Sequence, residues 1–323
     1  MLPQFLKHIE SEIADLSYGE KPKELYEPIA YLMGLGGKRL RPALTLMAYH
    51  LFKDDWEVAS KPALAIEVFH NFTLMHDDIM DEAPLRRGEP TVHEKWNRDV
   101  AILSGDVMLV AAYELMAEVP VEQLKTVLKR FNRTAAEVCE GQQFDMNFAT
   151  RDDVNEEEYI EMIRLKTSVL LGFALELGGL AANQEETVTK QLFEIGVNLG
   201  IGFQLKDDML DVYGDPKKFG KQVGGDIIEN KKTWLMLKAI EKSAGNAEGK
   251  ALQKWINQET FKPEEKVKAV RDIYDRLGIH ELADAEMNAY FKKGFDGIDA
   301  FPVAEERKAT LRAFGEYLLG RDR

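Results

Sequence analysis

Cysteine is nearly missing: the 323-residue chain holds one, Cys139. A lone thiol excludes an intrachain disulfide and a cysteine zinc cluster, and it fits a reducing compartment, so cytoplasm is the expected location. Positive charge is also in deficit, with 42 Lys and Arg against 56 Asp and Glu and a formal net charge of −14. That balance excludes a general nucleic-acid or anionic-membrane binder, because both need a basic surface to displace counterions or meet lipid headgroups. Nowhere does an apolar run reach the roughly 18 residues that would span a bilayer, so no transmembrane segment is expected. The opening stretch, MLPQFLKHIESEIADL, lacks the basic flank and continuous apolar centre of a signal peptide. Alternating strand-like runs are scarce, and neither a tandem repeat nor an interdomain linker is visible.

What is present is helical periodicity. Apolar residues recur at three- and four-residue steps, as in Leu64, Val68, Phe72 and Met75 or Leu192, Ile195, Leu199 and Phe203. The period breaks where Gly, Pro or charge clusters intervene, at GLGGKRLRP from 34, EAPLRRGEPT from 82, ATRDDVNEEE from 149 and YGDPKKFGKQVGGD from 213. SVLLGFALELGGLAA, from 168, is almost apolar all round and belongs at the centre of a bundle. The expectation is an all-α fold, a single large helical bundle domain covering residues 1–323.

One short motif occurs twice, as DDIMD at 77–81 and DDMLD at 207–211. Each follows an apolar helical run containing a phenylalanine and precedes a break rich in Gly, Pro and basic residues. On a helix, Asp77 and Asp81 share a face about 6 Å apart along the axis, as do Asp207 and Asp211. Near a helix C-terminus such a pair also meets the negative end of the helix dipole, so it calls for a counter-ion. Magnesium suits it: a hard cation that accepts one or two carboxylates, keeps water, and completes its shell with substrate phosphates. A single DxxxD is most often a solvated helix face; two copies embedded in apolar sequence are not.

Phosphate also needs cations, and the basic residues gather in the breaks beside the acidic motifs: GGKRLRP from 36, RRG from 86, RLKT from 164, GK at 220 and ENKKT from 229. Arginine grips phosphate through two parallel hydrogen bonds where lysine is a point charge, which favours Arg41, Arg86 and Arg87 as fixed contacts.

Taken in order, GGKRLRP, HNFTLMHDDIMD, LRRGEPT, GQQFD, KT at 166, FQLKDDMLD and GKQVGGD make the chain resemble the trans (E-type) isoprenyl diphosphate synthases, or polyprenyl synthetases. The resemblance implies an isoprenoid synthase type I fold with a central cavity, a homodimer, and condensation of isopentenyl diphosphate with an allylic diphosphate (dimethylallyl, geranyl or farnesyl). By matching motif, Asp77, Asp81 and Asp207 would hold magnesium, about three ions per site with substrate bound, while Asp78, Asp208 and Asp211 support them. Lys38, Arg41, His70 and Arg87 would bind isopentenyl diphosphate. Arg86, Lys166, Lys221 and Lys231 would face the allylic diphosphate, with Thr167 and Gln204 near the developing cation. His70 stands seven residues before Asp77, two turns along the same helical stripe, which suits that division. Two positions depart from the family pattern: Asn230 stands where Gly is common, and Trp234 where Pro is common, which puts the loop geometry there in question.

Product length is expected to depend on the residues preceding the first aspartates. Phe69 and Phe72 lie three apart on one helix face beside the small Thr73, and within the family an aromatic five before the first aspartate goes with short products. DDIMD also lacks the two-residue insertion typical of bacterial farnesyl synthases. Farnesyl to geranylgeranyl diphosphate is the expected range, with geranylgeranyl preferred. A class I terpene cyclase would share the fold and the first motif but not DDMLD. An HD-type phosphohydrolase would use the adjacent His76 and Asp77 but leaves DDMLD unexplained. A non-catalytic synthase-like subunit would be expected to lose one acidic motif, and both are complete here.

Overall fold

Helical spacing in the sequence becomes helix throughout the computed structural model, which describes residues 1–214 and 224–320; Lys221 lies outside them. The chain divides into two compact units, each assembled from separated stretches of sequence.

The first unit comprises Met1–Asn132, Phe173–Phe193 and Pro302–Leu311. It contains α1 (Leu2–Ala14), α2 (Lys23–Gly34), α3 (Leu40–His50), α4 (Ser60–Met80), the one-turn α5 (Val92–Lys95) and α6 (Arg98–Met116). α4 is its axis, packed against α3 and α6. Leu64, Ile66, Val68, Phe69 and Met75 of α4 are all buried, each burial contributing roughly 1.5–3 kcal/mol. Among the polar residues of α4 that are buried as well are Glu67 and Asn71, and Arg39 explains why. Its guanidinium donates to Glu67 Oε1 at 2.6 Å, to the Met33 carbonyl at 2.7 Å and to Glu10 Oε1 at 3.0 Å. Asn71 Nδ2 donates to Glu67 Oε1 at 3.0 Å. The network ties α1, α2, α3 and α4 together, so Arg39, within a stretch that reads as phosphate-binding, serves the scaffold. Leaving either buried charge alone would cost about 3–5 kcal/mol.

The second unit comprises Arg133–Gly172, Glu194–Phe301 and Arg312–Arg323. Three helices run through both sets of segments: α7 (Val121–Phe148), α9 (Val169–Ala181) and α10 (Glu186–Tyr213). Before α9 stand α8 (Glu156–Ile163), closed at its start by a reciprocal Asn155–Glu158 capping box, and a single π-helical turn, Arg164–Ser168. The almost wholly apolar segment from 168 is buried from Val169 through Ala182, Glu176 included. Further helices at Trp234–Lys242, Ala247–Ile256, Pro263–Leu277 and Ile279–Ala300 complete this unit.

One feature departs from the purely helical expectation. Leu85–Arg86 and Glu89–Pro90 pair as a two-stranded antiparallel hairpin. Its two central residues, Arg87 (φ 56°) and Gly88 (φ 83°), both lie in the left-handed region, which is what a two-residue type I′ connection demands. A hairpin this short has no strand periodicity to read; Gly88 is its only signal.

Candidate active site

In the first unit DDIMD closes α4. Asp81 is the residue just past the last helical turn, and its amide donates to the Asp77 carbonyl at 2.8 Å, so the one-turn spacing holds. Asp77 is half-buried, Asp78 buried and Asp81 exposed. Asp78 is gripped by Arg86, whose Nε and Nη2 donate to its two carboxylate oxygens at 2.7 and 2.6 Å. This bidentate pair anchors the hairpin to the end of α4, and the tight turn then sets Arg87 next in line. Arg86 is thus engaged with Asp78, where the resemblance directs it towards a diphosphate.

Arg87 approaches Gly37 in the stretch before α3. Gly37 has φ 149°, and a Cβ there would lie 2.9 Å from Arg87 Nη2, so the glycine makes room for the guanidinium. Arg41, in the first turn of α3, donates from Nη1 to His70 Nε2 at 3.2 Å. Burial, followed by the charges of Arg41, Arg87, Arg86 and Arg39, holds the His70 imidazole well below its ordinary range. It is therefore neutral, accepting at Nε2 and carrying its proton on Nδ1. Lys38 is exposed just before. Arg41, His70 and Arg87 gather as one electropositive group, an arrangement that suits an anion.

The two phenylalanines differ in environment. Phe69 is fully buried, its ring 5.1 Å from that of Phe131 and 5.7 Å from Phe72, whereas Phe72 is only half-buried and lies 4.8 Å from the His76 ring. Thr73 is half-buried and turns its hydroxyl to the His70 carbonyl at 2.8 Å.

In the second unit DDMLD lies in the last two turns of α10. Asp207 and Asp211 are half-buried and Asp208 is buried. Tyr159 OH donates to Asp208 Oδ2, and Gln204 Nε2 donates to Asp208 Oδ1 at 3.1 Å. Burial first, then the charge of Asp226, pushes the Asp208 carboxyl up to about 8, although the bonds from Tyr159 and Gln204 pull the other way. The same two causes raise Asp211 to about 6, against the bond its Oδ2 accepts from the Asp226 amide at 3.1 Å. Burial opposes the charge on Lys231, but Asp226, Asp145 and Asp208 outweigh it, and its affinity for a proton is raised; its Nζ lies 3.7 Å from Asp226 Oδ1.

Lys166 and Thr167 sit on the π-helical turn. Lys166 Nζ donates to Asp145 Oδ2 at 2.5 Å, and Thr167 Oγ1 to Gln204 Oε1 at 3.5 Å. The turn is held against α7 at Gly141, where a Cβ would come within 2.2 Å of the Lys166 backbone nitrogen. A π-turn widens the helix by one residue and re-aims its side chains, and such turns concentrate at functional sites.

Asp145, Tyr159 and Asp226 join the acidic cluster although no role falls to them from motif matching. Asp145 and Asp226 are legible as the aspartates that end GQQFD and GKQVGGD; nothing in the sequence marks Tyr159. Of the two departures from the family pattern, Asn230 adopts the left-handed conformation (φ 54°) that glycine favours, which asparagine tolerates better than most residues. Trp234 is buried at the start of a helix capped by Thr233 Oγ1.

Among the described residues no group of three or more His, Cys, Asp or Glu side chains forms a closed metal cage. The carboxylates nonetheless fit magnesium. They are hard oxygen donors spaced one turn apart, and the raised affinities of Asp208 and Asp211 for protons record burial first and then the like charge of Asp226, both of which a divalent cation would offset.

A sequence model of the family described as polyprenyl synthetase matches residues 22–274. Geranylgeranyl pyrophosphate synthase of Geoglobus acetivorans is 37% identical over 326 residues, covering 98% of this chain and 97% of its own. Geranylfarnesyl diphosphate synthase of Natronomonas pharaonis is 38% identical over 239 residues, covering 68% of this chain and 70% of its own. A crystal structure of a geranylgeranyl pyrophosphate synthase superposes with a TM-score of 0.95 at 43% identity, covering 100% of this chain and 99% of that one.

Proposed function

The chain belongs to the polyprenyl synthetase family, and from that premise we propose that it is a magnesium-dependent prenyltransferase that joins isopentenyl diphosphate head-to-tail to an allylic diphosphate. The observation that carries this reading is the company each aspartate motif keeps. Arg86 is locked on Asp78 beside an arginine–histidine group in one unit, while Lys166 and Lys231 stand beside acidic partners of the other.

Asp77, Asp81 and Asp207 would hold the magnesium ions, which when bound supply positive charge to the departing diphosphate. Lys166 and Lys231, with Arg86, add charge for the same anion; fixed cations are worth most where negative charge develops on the leaving group. Thr167 and Gln204, tied to one another, present oxygen dipoles to the allylic cation left when the C–O bond ionises. Lys38, Arg41, His70 and Arg87 bind the second diphosphate, so the isopentenyl double bond can form the new C–C bond before a proton is lost. Residues 1–323 then act as one polyprenyl synthetase domain. The exposed Leu103 and Val110, seven residues apart on one face of α6, support a homodimer, and the single cysteine supports a cytoplasmic location.

For product length, the names of several relatives support geranylgeranyl diphosphate, while others are named geranylfarnesyl diphosphate synthases. Incubation with isopentenyl and dimethylallyl diphosphates and Mg²⁺, followed by separation of products by length, tests the whole reading. Asp77→Ala and Asp207→Ala should each lower turnover by several orders of magnitude while circular dichroism stays unchanged. Near-normal turnover in either variant would refute the metal assignment, and a cyclic hydrocarbon product would refute the reaction.

A further inference from the structure

Lys266, in the first turn of the Pro263–Leu277 helix, is completely buried. The N-terminal end of a helix carries partial positive charge, and among the described residues no carboxylate pairs with the ammonium. Burial lowers its affinity for a proton accordingly. What the ammonium does have is two oxygen acceptors and a ring: it donates to the Ile228 carbonyl at 3.1 Å and to Asn230 Oδ1 at 2.7 Å, and lies 4.2 Å from the centre of the Phe261 ring.

Both acceptors belong to one turn. Asn230 sits there in the left-handed conformation, and its Nδ2 donates onward to the Ile256 carbonyl at 3.1 Å, at the end of the Ala247–Ile256 helix. Its side chain thereby connects that helix to Lys266. A glycine would take the same backbone conformation but make neither bond. The turn lies within the segment bearing Asp226 and Lys231: the Lys231 amide donates to the Asp226 carbonyl at 2.9 Å, and the Asp226 amide to Asp211 Oδ2 at 3.1 Å. Lys231 itself follows Asn230 directly.

We propose that Lys266 is a positioning residue: acting through the Ile228 carbonyl and Asn230, it fixes the turn that aims Lys231 at the allylic diphosphate. The burial of a lysine without a counter-charge is then explained by the rigidity it gives that turn. This inference rests on the placement of Lys231 in the proposed function.

Steady-state kinetics with dimethylallyl and isopentenyl diphosphates test it on Lys266→Met, Asn230→Gly, Lys231→Ala and the double variant Lys231→Ala/Lys266→Met. Losing a charge-assisted hydrogen-bond pair should raise the KM for dimethylallyl diphosphate about tenfold in Lys266→Met and about threefold in Asn230→Gly, leaving that for isopentenyl diphosphate within about twofold. In the Lys231→Ala background, Lys266→Met should add no further rise. Equal rises in both KM values, or a fall in kcat alone, would mark Lys266 as merely structural and overturn the proposal. So would additive losses in the double variant, while the role of Lys231 would stand. An unchanged allylic KM in Lys231→Ala would instead remove the placement of Lys231, and the proposal with it. Should Lys266→Met fail to fold, Asn230→Gly and its combination with Lys231→Ala carry the same expectations.

Discussion

Phe69 and Phe72 are separated by one helical turn and by their surroundings. Phe69 fills the core against Phe131, so Phe69→Ala should cost about 3–5 kcal/mol and say little about product length. Phe72 is half-buried and can be shortened with less damage, which makes it the residue on which the length argument turns. Phe72→Ala should lengthen the product beyond that of wild type, read by chromatography of the dephosphorylated alcohols; an unchanged distribution would place the limiting residue elsewhere. Glu176 offers a different residue-level test. Burial pushes its carboxyl up to about 7, against Arg130, whose Nε lies 3.2 Å away; Glu186 adds to the rise and Lys190 opposes it. A carboxyl raised above its unfolded value takes up more protons in the native state. Its contribution to stability is therefore fully present below about pH 4.5 and disappears as the pH passes 7. From about pH 5 to 8 the wild type should lose up to about 3 kcal/mol through this group, and Glu176→Gln should flatten that slope in urea unfolding measured along the pH series.

At the scale of elements, the π-helical turn Arg164–Ser168 is where the placement of Lys166 and Thr167 is decided. It lies so close to α7 that only glycine serves at position 141: the atoms a Cβ would meet are backbone, at 2.2 to 2.8 Å, and backbone cannot swing aside as a side chain can. Gly141→Ala should therefore destabilise the protein by about 1–3 kcal/mol and, by shifting Lys166, reduce turnover in whatever fraction stays folded. Thermal unfolding and activity per folded molecule check the two halves of that expectation. The helices themselves are legible from spacing, since burial of one stripe or a whole cylinder leaves its period in the sequence. The two aspartate motifs are legible for the same reason, because one turn of helix imposes the i, i+4 interval. A π-turn has no period of its own, and the hairpin of Leu85–Arg86 and Glu89–Pro90 is too short to show one. Arg39 and Lys266 are illegible for a further reason: composition shows that a charge exists but not whether its partners, distant in sequence, bury it.

For the molecule as a whole, a net charge of −14 sets a problem that local structure resolves. A substrate pair carrying two diphosphates would be repelled by the average surface, so affinity depends on groups such as Arg41, His70 and Arg87, where cations gather and the histidine stays neutral. Apolar surface is unevenly spread as well. α6 buries Ala101, Met108 and Ala112 on one side, yet leaves Leu103 and Val110 more than half exposed, at 56% and 58%, on another. Single exposed apolar residues are ordinary, but two at heptad spacing form a stripe that a second copy of α6 can cover across a two-fold axis, each meeting its own counterpart. An interface of about 1,200–2,000 Å² in total would then make the dimer persist at micromolar concentration. Sedimentation velocity should give a dimer for the wild type and a folded monomer for Leu103→Glu/Val110→Glu, because charge at both positions would face like charge across the axis. A wild-type monomer, or a double variant that still dimerises, would remove α6 from the interface.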